Sequence, residues 1–247
     1  MELLTVSDLA GGYSQRQVIK DLNFTVDIGE IVGLIGLNGA GKSTTMKHII
    51  GLLTPIAGKI AINGQTIAED NQGYHQALSY IPETPILYKA LTLKEHLEMI
   101  GSVYGYSPEE AMERAYPLLE QFRLLDRLEW LPIHFSKGMK QKVMIICSLM
   151  TDADLYVIDE PFVGLDPLAI HDFIDLLEQK KAAGKGILLS THILANAERY
   201  CDRFLFLKDG RLKAQGNLSE IQSQLSLPNA TLDELYFALA RGEHDAD

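Results

Sequence analysis

Cysteine, cationic surplus and long apolar runs are all scarce in this chain of 247 residues. Two cysteines, Cys147 and Cys201, are too few for a disulfide framework, and the simple reading is a pair of free thiols. No run approaches the roughly 18 consecutive apolar residues that a membrane-spanning helix needs. The longest candidate, Val143 to Met150, falls far short. The opening residues Met1-Glu2-Leu3-Leu4 lack the basic flank, apolar run and cleavage site of a secretory leader, so a cytoplasmic chain is expected. Lys and Arg number 22 against 33 Asp and Glu, for a net charge of −11. A broad nucleic-acid surface needs clustered cations, so this balance argues against nucleic acid as a partner. It leaves docking on a membrane protein open, because local shape decides there.

Against those absences stands one complete motif, Gly36-Leu37-Asn38-Gly39-Ala40-Gly41-Lys42-Ser43, which fits the phosphate-binding pattern G-x-x-x-x-G-K-[ST]. It follows the apolar strand pattern Ile31 to Ile35 and precedes a helical stretch, Ser43 to Ile50, stopped by Gly51. That order matters: glycines let backbone N–H groups fold around an anion, and the helix start adds its positive dipole end. Gly36, Asn38, Gly39, Gly41 and Thr44 are expected to cradle phosphates. Lys42 is expected to reach the β- and γ-phosphates and Ser43 to ligate Mg²⁺. The chain is therefore expected to bind a nucleoside triphosphate.

The first third reads mostly as strands, at Leu3 to Leu9, Leu22 to Ile28 and Lys59 to Ile62, with a tight turn at Asn63-Gly64. From about Pro85 to Met150 the spacing favours helices: Leu93 to Tyr104, Pro108 to Leu125 and Met139 to Met150. Ser107-Pro108-Glu109-Glu110 is a good helix start, with a serine cap, proline in the first turn and acids at the positive dipole end. Strand patterns return at Asp154 to Ile158, Gly186 to Ser190 and Arg203 to Leu207, with Asp209-Gly210 turning into Arg211 to Ala214. The expected fold is α/β: a mostly parallel sheet with helices, an antiparallel β subdomain and a helical insertion at about 85–150. A helical tail is expected over about 219–247, with a frayed polar end at Arg241 to Asp247.

Leu155-Tyr156-Val157-Ile158-Asp159-Glu160 is an apolar strand ending in two acids. In phosphate-loop ATPases an Asp so placed holds Mg²⁺ beside the loop hydroxyl, and an adjacent Glu can take a proton from the attacking water. Phe135-Ser136-Lys137-Gly138-Met139-Lys140-Gln141 resembles the L-S-G-G-Q signature of ABC ATPases. Asp159-Glu160-Pro161-Phe162-Val163-Gly164-Leu165-Asp166-Pro167 looks like that family's Walker B motif running into its D-loop. Ser190-Thr191-His192 looks like its switch histidine, and Gly11-Gly12-Tyr13 matches its aromatic loop that stacks on adenine. The resemblance covers about residues 3 to 220, making the whole of 1–247 one nucleotide-binding domain, and is nearest to Ecs-type ATPases of Gram-positive bacteria.

The resemblance implies that Glu160 and His192 are catalytic and that Tyr13 stacks on the base. It implies that Ser136, Lys137, Gly138 and Asp166 act on ATP bound by a second copy of the chain. It further implies ATP and Mg²⁺ as cofactors, a position on the cytoplasmic face of the membrane, and a separate polytopic permease partner, EcsB-like. Export is the expected direction; an importer subunit, or an ABC ATPase acting on nucleic acid or ribosomes, are the alternatives. Pro82, Pro85, Ile86, Leu87 and Tyr88 form an apolar, turn-rich patch where the permease is expected to dock.

Two positions depart from the family pattern. Lys137 replaces the middle glycine of the signature, adding a cation and removing backbone freedom. Glu83 stands where the family carries glutamine. A carboxylate there can ligate Mg²⁺, but it adds negative charge beside the triphosphate. Activity is therefore expected to depend more steeply on Mg²⁺ than in a glutamine-bearing relative. Titrating Mg²⁺ against ATP turnover should give a shallower curve for Glu83→Gln; superimposable curves would refute the assignment.

Overall fold

Alternating side chains on the central strands decide the layering. In a computed structural model describing residues 1–14, 16–192 and 194–241, Leu155 and Val157 face one apolar core while Tyr156 and Ile158 face another. A strand buried on both faces belongs inside a parallel sheet, which explains its nearly unbroken apolar run.

The chain opens with β1 (Glu2–Tyr13) and β2 (Arg16–Asp27), an antiparallel pair, followed by β3 (Ile31–Ile35) and α1 (Lys42–Ile49). Next come β4 (Ala57–Ile62), α2 (Asn71–Gln76) and β5 (Leu78–Ile81). Helices α3 (Leu93–Val103), α4 (Pro108–Gln121) and α5 (Lys137–Leu149) then form an insertion before β6 (Leu155–Asp159). The remainder alternates: α6 (Pro167–Ala182), β7 (Gly186–Ser190), α7 (Leu194–Tyr200), β8 (Arg203–Lys208) and β9 (Arg211–Gly216). Helices α8 (Leu218–Gln224) and α9 (Leu232–Arg241) close the described chain.

Among the described residues, one sheet has three strands in the order β2-β1-β4 and is antiparallel; the other has six in the order β5-β6-β7-β3-β8-β9. The larger sheet is parallel except for its β8–β9 hairpin. Its middle strands β6, β7 and β3 all end at one edge, the place where open α/β sheets bind ligands. The expected α/β layout therefore holds. No described helix is long and apolar enough to cross a membrane.

Local chemistry explains most boundaries. Ser107 and Glu110 form a reciprocal capping box at α4, and Thr92 with Glu95 does the same at α3. Helix α1 stops at Gly51, where φ is +76°. Asn63 and Gly64 both take positive φ, the type I′ pattern, but the turn leads only to an isolated bridge between Ile62 and Gln65. Two elements go beyond what the sequence pattern predicts: α2 and the edge strand β5. The last holds Ser79, whose hydroxyl lies 2.7 Å from Ser148 Oγ inside the core. Residues 242–247, expected to fray, lie outside the described residues.

His48 ties α1 to β1. It is 1% exposed, and its Nδ1–H donates to the Leu53 carbonyl at 2.9 Å. Its Nε2 faces Gly11, where an added Cβ would lie 2.1 Å away, so only glycine fits there. Burial holds the imidazole pKa below the ordinary 6.5. As pH falls through 6.5 the unfolded chain takes up its proton first, so folding stability drops below that pH and recovers above it. Thermal melts from about pH 7 down to pH 5.5 should fall more steeply for the natural chain than for His48→Asn, which keeps a donor but cannot ionise. Parallel slopes would show that this imidazole contributes nothing to acid sensitivity.

Candidate nucleotide site

Three neighbouring strands each deliver one turn to the same edge of the sheet. Strand β3 feeds the phosphate loop and α1, β6 ends in Asp159 and Glu160, and β7 ends at Ser190 before Thr191 and His192. Register locks them together: Ser190 pairs with both Asp159 and Leu34.

In the loop, Gly39 and Gly41 take φ of +85° and +112°, values that side chains rarely adopt. Gly41 is the N-cap of α1 and supplies no side-chain hydrogen bond, so the first-turn N–H groups are available to an anion. Lys42 is 7% exposed. Its ammonium donates to the Gly36 carbonyl at 2.8 Å and stands 3.9 Å from Glu160 Oε1.

The two acids are buried at 3% and 9% exposure, an arrangement that is costly unless each carboxylate has partners. Ser190 Oγ donates to Asp159 Oδ1 at 2.6 Å and accepts from the Glu160 backbone N–H at 3.0 Å. Glu160 sits in the left-handed region, φ +48°, a strained conformation for a residue with a side chain. Its Oε2 accepts from His192 Nδ1 at 2.7 Å and from the His192 backbone N–H at 3.2 Å. A carboxylate only accepts, so the proton of a neutral His192 ring rests on Nδ1 and Nε2 is left as an acceptor. The ring is 60% exposed. Glu160 is thus aimed by a histidine on one oxygen and a lysine on the other, an arrangement suited to holding and deprotonating a water.

A cavity of about 950 Å³ gathers most of the residues expected from sequence. Tyr13, Lys42, Ser43, Glu83, Glu160 and His192 line it, and so do Gly36, Asn38, Gly39, Gly41 and Thr44. Tyr13 is 44% exposed, and Lys47 donates to its hydroxyl at 3.1 Å, the main cause of a lowered phenol pKa. The Tyr80 hydroxyl is pushed up, first by burial and then by Asp159 and Glu83, which marks the negative charge gathered here. Ser43, Asp159 and Glu83 offer only oxygen donors, the chemistry that suits Mg²⁺.

Asp159 is buried just behind this cavity rather than lining it, and Ser136, Lys137, Gly138 and Asp166 do not line it either. Ser136 caps α5, its Oγ accepting from the Met139 N–H at 3.2 Å. The helix begins at Lys137, two residues before the expected start, and Lys137 has ordinary helical backbone. The missing glycine therefore costs no needed conformational freedom. Gly138 cannot be replaced so easily, because an added Cβ would lie 2.5 Å from the Gly164 carbonyl. Gln141, at the edge of the signature, is 1% exposed with neither amide atom hydrogen-bonded among the described residues. The glutamine position of the L-S-G-G-Q pattern falls on Met139, and Gln141 belongs to the core.

Two contributors went unassigned in the sequence. Ser190 bridges both acids, and its only signal was a hydroxyl ending an apolar strand two residues before the histidine. Lys142, one turn along α5 from Gly138, donates to Asp166 Oδ2 at 2.9 Å and holds that carboxyl below the usual carboxylate range. No local pattern pairs residues on two different helices. Removing the bridge with Ser190→Ala should take its hydroxyl partner from the buried Asp159 carboxylate and leave the Glu160 N–H only the Ser190 carbonyl at 3.3 Å, at a cost of about 1–3 kcal/mol. ATP turnover should fall roughly tenfold, consistent with one lost aiming contact. A variant with wild-type turnover would remove Ser190 from the site.

Comparison with known proteins agrees with this geometry. The family model described as "ABC transporter" matches residues 19–163. The ABC-type transporter ATP-binding protein EcsA of Bacillus subtilis (strain 168) is 54% identical over 98% of both chains. The Nod factor export ATP-binding protein I of Burkholderia lata is 37% identical, covering 83% of this chain and 67% of that protein. A solved structure of an ATP-binding subunit of an ABC transporter superposes with a TM-score of 0.93 at 57% identity, covering 96% of this chain and 99% of the other. The chain belongs to the ABC transporter family as an ATP-binding subunit, an ATPase that hydrolyses ATP for transport.

Proposed function

We propose that this chain powers an exporter, acting as an ATP-sandwich dimer of two identical copies on the cytoplasmic face of the membrane, docked on a separate polytopic permease, EcsB-like. The observation that carries the dimer is the separation within one chain: Ser136, Lys137, Gly138 and Asp166 lie off the cavity that Lys42 and Glu160 line. A two-fold interface lets each copy supply its signature to the other's nucleotide. The relative whose name ascribes Nod factor export to it supports the outward direction.

In this reading residues 1–247 form one nucleotide-binding domain. Tyr13 stacks on adenine, while Gly36, Asn38, Gly39, Gly41 and Thr44 hold phosphates together with Lys42. Ser43, Asp159 and Glu83 hold Mg²⁺, which supplies charge neutralisation at the transferring phosphoryl group. Glu160 takes the proton of the attacking water. His192 uses its free Nε2 side toward the γ-phosphate while its Nδ1–H keeps Glu160 aimed. Closure on ATP and reopening after hydrolysis move the attached permease. The docking surface is the segment after Glu83, where Ile86 and Tyr88 are 74% and 63% exposed.

One experiment tests the assembly. Tagged Glu160→Gln chain, extracted from its native membranes in mild detergent with MgATP, should carry one polytopic permease and a second copy of the ATPase. Recovery as a monomer in MgATP would sink the sandwich, and recovery with ribosomes, DNA or nothing would sink the transporter reading.

A further inference from the structure

The C-terminal helix α9 reaches back across the fold to the phosphate loop. Leu232 and Leu235 are fully buried in the larger core, which fixes one face of the helix. Its first N–H is met from a neighbouring helix: the Leu232 N–H donates to Glu198 Oε2 at 2.9 Å. Glu198 lies on α7, the helix that follows His192. At the other end Lys208, closing β8, donates to the Leu239 carbonyl at 3.2 Å. The helix is thus strapped to the element behind the switch histidine and to the strand beside the loop.

Between those straps stands Tyr236. It lines the nucleotide cavity together with Gly36, Leu37, Asn38 and His192. On its other side it lines, with Leu239, Gly36 and Leu37, a crevice of only about 20 Å³. That space holds about one water, so little solvent separates the aromatic ring from the shoulder of the loop. The same shoulder anchors the loop lysine, because Lys42 donates to the carbonyls of Gly36 and Leu37, at 2.8 and 3.4 Å. Burial raises the Tyr236 hydroxyl pKa, as expected of a ring drawn out of water.

We infer that Tyr236 is a positioning residue for ATP binding, holding the Gly36–Leu37 shoulder through its ring, and that α9 ties this shoulder to the helix following His192. It acts through the loop rather than on the reacting atoms. Side-chain packing of this kind sets where backbone carbonyls and N–H groups stand, and small displacements at a phosphate cradle weaken ground-state binding. Glu198 extends the link, because a shift of α7 must carry the start of α9 with it.

The inference rests on ATP binding alone and stands whether the transporter exports or imports. The test uses the purified full chain. Tyr236→Ala should raise KM for ATP about fivefold while kcat at saturating ATP falls less than twofold, the split expected of lost uniform binding. Tyr236→Phe should restore the natural KM, since the ring does the holding, and its melting temperature should match that of the natural chain within about 2 °C. An unchanged KM for Tyr236→Ala, or equal losses for Ala and Phe, would overturn the proposal. A second readout needs no change at Tyr236: amide exchange along 232–239 should slow when the Glu160→Gln chain binds MgATP. Exchange rates indifferent to nucleotide would also overturn it. Failure of the unaltered chain to bind ATP would instead count against the ATPase reading.

Discussion

Two carboxylates at the end of a fully buried strand set the terms for everything around them. Asp159 and Glu160 follow four apolar residues, so they enter a region where unpartnered charge costs several kcal/mol. The fold answers with local partners on the adjacent strand and loop. Ser190 supplies a hydroxyl to one acid and an acceptor to the other's backbone, and His192 supplies two donors to Glu160. Lys42 brings a buried cation within 3.9 Å. Glu160 nevertheless adopts positive φ, strain that these contacts hold in place. A group so constrained points in one direction, into the nucleotide cavity that it lines.

The parallel sheet makes this possible because it turns sequence-distant segments into neighbours. Residues near 36, 160 and 192 meet only because β3, β7 and β6 lie side by side with matched register. The antiparallel sheet adds Tyr13 through a different route. Gly11 lets β1 pass against His48 of α1, and Lys47 on the same helix reaches the Tyr13 hydroxyl. The Tyr13 side and the phosphate-loop side of the cavity are therefore both referred to α1.

Much of this was legible in the sequence wherever chemistry is local. The phosphate loop carries its own glycines, β6 carries its own acids, and the Ser107 cap announces itself within three residues. All these residues lie where the strand and helix patterns put them. What escaped depends on long-range contact. Strand β5 is four residues long and interrupted by Ser79 and Tyr80, whose polar atoms find their surroundings only inside the fold. Ser190, Lys142 and Tyr236 act on partners 30, 24 and about 200 residues away, so no window of sequence contains both ends. Lys137 misled in the opposite sense: the missing glycine suggested lost freedom, yet the position is plain helix and the tight contact falls on Gly138.

Glu83 joins the chemistry to the surface that the proposed permease would use. It lines the cavity, and five residues later the backbone of Tyr88 is pinned from inside the helical insertion. There the Tyr88 N–H donates to His96 Nε2 at 2.9 Å, while His96 Nδ1–H donates to the Thr92 carbonyl at 2.7 Å. Both ring nitrogens are committed, so His96 must be neutral with its proton on Nδ1. The segment from 83 to 88 thus runs from the nucleotide cavity, which Glu83 lines, to its hydrogen-bonded end at α3. A change in charge or distance at Glu83 has little slack to dissipate into before it reaches the exposed Ile86 and Tyr88. Short segments transmit displacement better than long loops, because fewer backbone torsions can absorb it. That makes the identity of residue 83 a mechanical matter as well as an electrostatic one.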